Sequence, residues 1–240
     1  MYHAIEEVAV DPSRICVTPH RFEEQMLHLK RQGLRGVSVV ELLRASPAER
    51  SDGLVGLTFD DGYENFVLHA LPVLEDLGFS ATVFALGALL GTENEWDAAP
   101  RMRLLDKDGL REIAARGIEI GSHGLSHVRL AGVSEARLRR EVVESRRVLE
   151  RVIAGPIQGF CYPYGSLDRA ATKTVRDAGY SYACSCRDRI ESTVYDLPRP
   201  PVWEMDGPLF LTAKRRLYPV FSEVYSRVSG RYAAGYSEGL

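Results

Sequence analysis

Three short stretches of the chain carry side chains that could do chemistry together. The first is Thr58-Phe59-Asp60-Asp61-Gly62-Tyr63, where two carboxylates close an apolar alternation of Val55, Leu57 and Phe59. Neighbouring side chains of a strand point to opposite faces, so the two aspartates meet different surroundings. A polar β-turn is the plain alternative, because Asp and Gly are common turn residues. The second stretch is Ser122-His123-Gly124-Leu125-Ser126-His127, directly after the apolar run Ile118-Glu119-Ile120-Gly121. Two imidazoles four residues apart, on a turn entering a helix, can face one metal ion. Such a pair on its own is usually ordinary surface; its place at a strand end, in a chain with 6 histidines, sets it apart. The third stretch is Tyr162-Pro163-Tyr164-Gly165, where proline fixes the backbone and gives up its N–H.

Such stretches work together only if the elements before them end side by side. Short apolar runs alternate with segments of helical period, the rhythm of βα units and a mainly parallel sheet. Strands are predicted at Tyr2–Ile5, Gly36–Val40, Val55–Phe59, Ala81–Ala85, Ile118–Gly121, Gly159–Tyr162, Tyr180–Cys184 and Val194–Leu197. Helices are predicted over 22–32, 65–77, 107–116, 134–153 and 168–178, several opened by Ser, Thr or Asp and closed by Gly. So many units in 240 residues favour a closed or nearly closed barrel in a single domain. In such a barrel the active residues gather where strands end and βα loops begin, and all three stretches fall there. The barrel is expected to span 1–205, with a C-terminal amphipathic helix (Leu209–Val228) and a tail in 206–240 packed on it.

Composition removes other classes. A hydrophobic content of 45% and 26% charged residues are ordinary for a globular protein, and a formal net charge of −3 makes no electrostatic case for nucleic acid. No run of eighteen apolar residues occurs and no membrane contact is expected. The first residues lack the basic and apolar regions of a signal peptide, so a cytoplasmic location is expected, although a strand beginning at Tyr2 leaves an upstream start open. Cys16, Cys161, Cys184 and Cys186 show no zinc-ribbon spacing and read as reduced thiols.

The three stretches resemble the motifs of the NodB-homology polysaccharide deacetylases (carbohydrate esterase family 4). Thr58 to Tyr63 matches the first motif, Ser122 to His127 the second, and Tyr162 to Gly165 most of the third; Tyr2-His3 and the segment around Phe22 resemble the family's amino-terminal part. The resemblance implies a distorted (β/α)7 barrel and removal of an acetyl group from an N-acetylated sugar of a polysaccharide, glycolipid or small glycoside. It implies a divalent ion, Zn²⁺ first with Co²⁺ or Ni²⁺ as alternatives, held by Asp61, His123 and His127. Two imidazoles and one carboxylate suit such an ion and leave positions open. Asp60 would be the general base, the backbone N–H of Tyr164 would hold the oxyanion, and Tyr63, Tyr162 and Pro163 would contact substrate.

The chain also departs from the family. Its third motif usually begins with an arginine that orients the base; here Cys161 stands at that place, and Arg199 is the candidate substitute, as in a sister branch with a Tyr-Pro-Tyr-Gly motif. No histidine follows His127 to serve as the usual general acid, which leaves His3 as the polar candidate near the metal. Two alternatives stay open on these residues. One is hydrolysis of another C–N bond, as in a deformylase or an allantoinase-like enzyme; the other is a carbohydrate-binding protein with weak turnover. The sugar and the oligomeric state are not legible.

Overall fold

The sheet is built outward from the strand that delivers Asp60. In the computed structural model, which describes residues 1–46, 53–96, 100–186 and 193–214, this strand is β5 (Thr58–Phe59). Before it come β1 (Ala4–Ile5), β2 (Cys16–Val17), β3 (Arg35–Val37) and β4 (Leu54–Gly56). After it come β6 (Thr82–Ala85), β7 (Glu119–Ser122), β8 (Gly159–Cys161), β9 (Tyr182–Ser185) and β10 (Leu197–Pro198). The strands from β5 to β10 lie in sequence order and pair in parallel, with Phe59 opposite Val83, Ala85 opposite Ser122 and Cys161 opposite Cys184.

The ring closes through the start of the chain. Tyr2 N–H donates to Thr58 O at 2.8 Å and Asp60 N–H to Tyr2 O at 2.9 Å, while Val202 N–H donates to Met1 O at 2.9 Å. Residues 1–2 thus lie between β5 and the chain that continues from β10, and the result is the distorted (β/α)7 barrel. β3 and β4 form a separate parallel pair beside it, and Leu57 hands the chain from one sheet to the other. Its N–H bonds Val37 O, and its carbonyl accepts from Thr82 N–H, each at 2.9 Å.

Parallel strands covered on both faces need apolar side chains on both, and β6, β8 and β9 are buried along their whole length. An aromatic group anchors the N-terminal side. Phe59 stacks on Tyr2 at 5.3 Å and meets Phe22 and Phe66 edge-on at 5.8 and 4.8 Å. Phe22 comes from α1 (Pro19–Arg31), which Thr18 caps by accepting from Arg21 N–H and Pro19 opens. The other helices are α2 (Val39–Arg44), α3 (Leu71–Leu77), α4 (Lys107–Ala115), α5 (Glu135–Arg139), α6 (Ser145–Ile153) and α7 (Arg169–Asp177).

Several elements differ from the sequence reading. The helix predicted over 65–77 begins with a π-helical turn, Phe66–Ala70, and that over 134–153 is interrupted by another, Arg140–Glu144. Val39 and Val40 start α2 rather than ending a strand, because Ser38 caps Glu41 N–H. β2 and the excursion between β6 and α4 were not predicted. Residues 208–214 are helical, and the rest of the expected C-terminal helix and tail lies outside the described residues. No helix among the described residues is long and apolar enough to cross a membrane.

Candidate active site

The three chemical stretches meet at the C-terminal ends of the strands. Asp60 and Asp61 leave β5, His123 to His127 follow β7, and Tyr162 to Gly165 follow β8. Asp61, His127 and Tyr164 all hold positive φ, at 69°, 57° and 57°. A residue with a Cβ pays for that conformation with about 1–3 kcal/mol, and such strain gathers at functional sites. Here it reverses the chain abruptly enough to aim each side chain inward. Gly62, at φ 73°, completes the first reversal, and a Cβ there would press on Ala85 Cβ at 3.3 Å.

Asp61 faces both histidines. His123 Nε2 and His127 Nε2 stand 3.3 and 3.2 Å from its Oδ1, yet that buried oxygen accepts no aligned hydrogen bond. Ligand atoms about 2.0–2.1 Å from a tetrahedral zinc ion lie about 3.3 Å apart, so this spacing is that of atoms around a shared ion. The far ring nitrogens are held as well. His123 Nδ1 donates to Cys161 O at 2.9 Å, which fixes the ring with Nε2 toward Asp61, and His127 Nδ1 lies 3.1 Å from Tyr164 Oη. Burial raises the Asp61 carboxyl, but the facing imidazoles of His127 and His123 bring it well below the usual range. The residues therefore fit a divalent ion.

Asp60 is engaged differently. Arg199 Nη1 and Nη2 donate to its two oxygens at 2.7 and 2.9 Å, and Nη1 also bonds Thr58 Oγ1 at 2.9 Å. Burial pushes the Asp60 carboxyl up, and the Arg199 charge and hydrogen bonds outweigh it and hold Asp60 below its usual value. Cys161 Sγ lies 2.9 Å from Arg199 Nη2 and 3.4 Å from Asp60 Oδ2, so the small thiol leaves the space that the guanidinium enters from the end of β10. Asp60, His123 and Cys161 also converge within 4.8 Å. They make a poor ligand set, because Asp60 is spent on Arg199 and burial pushes the Cys161 thiol up to about 12.

His3, Tyr162, Tyr164 and Arg199 line the same cavity as the aspartates and histidines. Burial lowers the His3 pKa, so its imidazole is neutral at neutral pH. Two sequence expectations are corrected. Tyr63 is 1% exposed and packs with Ala4, Cys16, Leu86 and Leu104 instead of lining the cavity, because the turn at Asp61 and Gly62 sends it back into the core. Pro163 is buried, near the Gly124 turn, and is not part of the cavity wall. The two histidines sit on a loop, not at a helix entry; the next helix, α5, begins only at Glu135.

Two residues escaped the sequence reading. Glu141, 1% exposed, reaches from the π-helical turn to the loop between the histidines. Its Oε2 accepts from Leu125 and Ser126 N–H at 3.0 and 2.9 Å, and its Oε1 from Ser126 Oγ at 2.7 Å. Its signal was a charge on the apolar stripe of Leu138 and Val142. Trp96 lies with its ring centroid 4.4 Å from that of His127, and nothing local in the sequence points to it.

The family model described as polysaccharide deacetylase matches residues 48–183, more than half of the chain. The chain belongs to the polysaccharide deacetylases. Among relatives of this family, YxkH of Bacillus subtilis, itself assigned to the polysaccharide deacetylases, is 27% identical over 182 residues, covering 75% of this chain and 61% of that protein. The poly-β-1,6-N-acetyl-D-glucosamine N-deacetylase of Escherichia coli is 23% identical over 215 residues, covering 75% of this chain and 32% of that protein. The chain thus spans less than two thirds of either relative. In fold, it is similar to the deacetylase PplD of Streptococcus pyogenes, solved with acetate, with a TM-score of 0.75 at 23% identity over 88% of this chain and 94% of that one. A polysaccharide deacetylase from Bacillus cereus gives 0.74 at 22% identity, over 89% of this chain and 66% of that one.

Proposed function

We propose that this chain is a metal-dependent N-deacetylase of an acetylated amino sugar. The observation that carries the reading is the unmatched Asp61 Oδ1 facing two imidazole nitrogens at 3.2 and 3.3 Å, beside a second carboxylate that Arg199 holds in place. Asp61, His123 and His127 would hold a divalent ion, Zn²⁺ first among candidates. When bound, such an ion polarises an acyl oxygen and acidifies water.

The remaining work belongs to the chain. Asp60, kept ionised and oriented by Arg199, accepts the proton of the attacking water. Tyr164 brings its backbone N–H to the oxyanion from a left-handed turn, a donor of the kind whose removal costs about 3–4 kcal/mol of barrier. The neutral His3 imidazole would offer substrate a hydrogen bond from the cavity wall. Relatives named for N-acetylglucosamine polymers support an acetamido sugar as the substrate class.

The test is acetate release from N-acetylglucosamine oligomers by protein loaded with Zn²⁺ or Co²⁺. Asp60→Asn is expected to keep the metal and lose turnover, whereas Asp61→Asn weakens the metal itself. Equal metal content with equal turnover in the two variants would overturn this division of roles, and formate or ureide products without acetate would overturn the substrate class.

A further inference from the structure

The depth of the reacting groups dictates where the rest of a substrate must lie, an inference that rests on the deacetylase reading. Asp60, Asp61, His123 and His127 are all buried, so only a slender substituent reaches them. The ring that carries the acetamido group stays at the cavity mouth, where Ile15, Trp96 and Tyr164 are half-buried.

Trp96 is held there by a built element. After β6 the chain forms a short antiparallel excursion, with Glu93 bridged to Arg103, Asn94 N–H donating to Met102 O at 3.1 Å and Leu104 N–H to Thr92 O at 2.8 Å. The side chain of Asn94, 1% exposed, staples its tip by accepting from Met102 N–H at 2.6 Å and donating to Pro100 O at 3.2 Å. Trp96, two residues on, packs against the small apolar group of Ala4, Cys16 and Leu104 and leans over His127 with the rings 30° apart. Tyr164 closes on His127 edge-on, at 4.6 Å and 61°. The tilt brings the indole over the imidazole while part of it still lines the cavity.

We propose that Trp96 is a specificity-determining residue, the platform on which the pyranose ring of the N-acetylated sugar rests while its acetamido group enters the site. A pyranose presents a flat face of C–H groups, and an indole offers a flat, electron-rich surface with few rotatable bonds to order. Covering both faces removes apolar area from water, enough for about a tenfold effect on binding. An acyclic N-acetyl compound has no such face, so the platform discriminates in favour of sugars.

The test uses the metal-loaded full chain and the N-acetylglucosamine trimer. Trp96→Ala is expected to raise KM about tenfold with a smaller change in kcat, and Trp96→Phe to recover most of the loss, with metal content near that of the unaltered chain in both. A fall in kcat or metal content with KM unmoved would make Trp96 a support for His127 only and overturn the proposal, as would no change at all. A second measurement separates this outcome from failure of the deacetylase reading. The chain has 2 tryptophans, so Trp203→Phe leaves Trp96 as the sole tryptophan, whose emission is read by exciting at the red edge of the absorption band, beyond the tyrosines. Added to an Asp60→Asn background, the trimer is expected to shift that emission without turnover. A shift with no acetate release from the unaltered chain would sink the reading and keep the platform; acetate release with no shift would do the reverse.

Discussion

The two ends of the barrel hold carboxylates in opposite ways. At the start of β7, Glu119 takes Thr82 Oγ1 at 2.6 Å and Val40 N–H at 3.1 Å on one oxygen, and Tyr182 Oη at 2.8 Å on the other. Every partner is neutral and both oxygens are occupied. Just beyond the other end of β7, Asp61 leaves a buried oxygen without a donor and sets it before two imidazoles. Leaving a buried polar atom unmatched costs about 1–3 kcal/mol, a cost that an ion held by Asp61 and the two imidazoles would offset. Glu141 makes the same point from beside the site, since it is as deeply buried as Asp61 and yet fully matched. What sets Asp61 apart from Glu119 and Glu141 is a buried oxygen without an aligned donor that faces two imidazoles, and burial alone does not tell the three apart.

The sharpest way to break this contrast is to empty the Asp61 end. His127→Ala or Asp61→Ala is expected to abolish stoichiometric metal binding, read by elemental analysis of protein dialysed against dilute Zn²⁺. Retained metal would mean that Asp61 is as structural as Glu119.

Arg199→Ala comes next, because it leaves Asp60 buried without its cation, a change that typically costs about 3–5 kcal/mol. The sign of the pH effect follows from the shift. Asp60 titrates below its unfolded value, so its contribution to stability is present above the usual carboxylate range and fades as pH falls through the folded value. Without Arg199 the main influence opposing burial is gone, only the weaker pull of His123 and His3 remains, and the carboxyl titrates higher. The acidic limb of the rate–pH profile therefore moves upward, and acid unfolding begins at a higher pH. An unmoved limb would show that Asp60 is held by something other than Arg199.

Glu141→Ala strands the loop donors between the histidines. A loss of about 3 kcal/mol in denaturant unfolding is expected, with metal affinity about 10- to 100-fold weaker. At the quiet end, Glu119→Gln keeps one good acceptor and should cost only about 1 kcal/mol, with kcat/KM unaltered. Equal effects of these two changes on metal affinity would erase the distinction drawn between the ends.

These contrasts explain what the sequence could and could not reveal. Asp60-Asp61 and His123 with His127 were legible because their residue types are costly to bury and follow apolar runs, and Tyr162 to Gly165 because a proline-fixed turn closes another such run. The βα rhythm was legible because parallel strands alternate with helical periods. The excursion that carries Trp96 was not, since its few pairings are antiparallel and its residues show neither period. Tyr63 was misjudged because a positive φ at Asp61 reverses the strand alternation one residue later. The role of Glu141 depends on a π-helical turn, which no propensity announces.

The closure of the ring through residues 1–2 carries a consequence for folding. Met1 and Val202 are partners across almost the whole described chain, and Asp60 N–H is bonded to the carbonyl of Tyr2. Contacts of such long sequence separation form late, after loop entropy has been overcome by local βα units. The backbone that aims Asp60 is therefore finished only when the last staves of the barrel meet. An intermediate with β6 to β9 already assembled would be compact and rich in helix and still lack the assembled candidate site. During refolding, recovery of turnover should lag behind recovery of far-ultraviolet circular dichroism, and the lag would measure how long the barrel stands open.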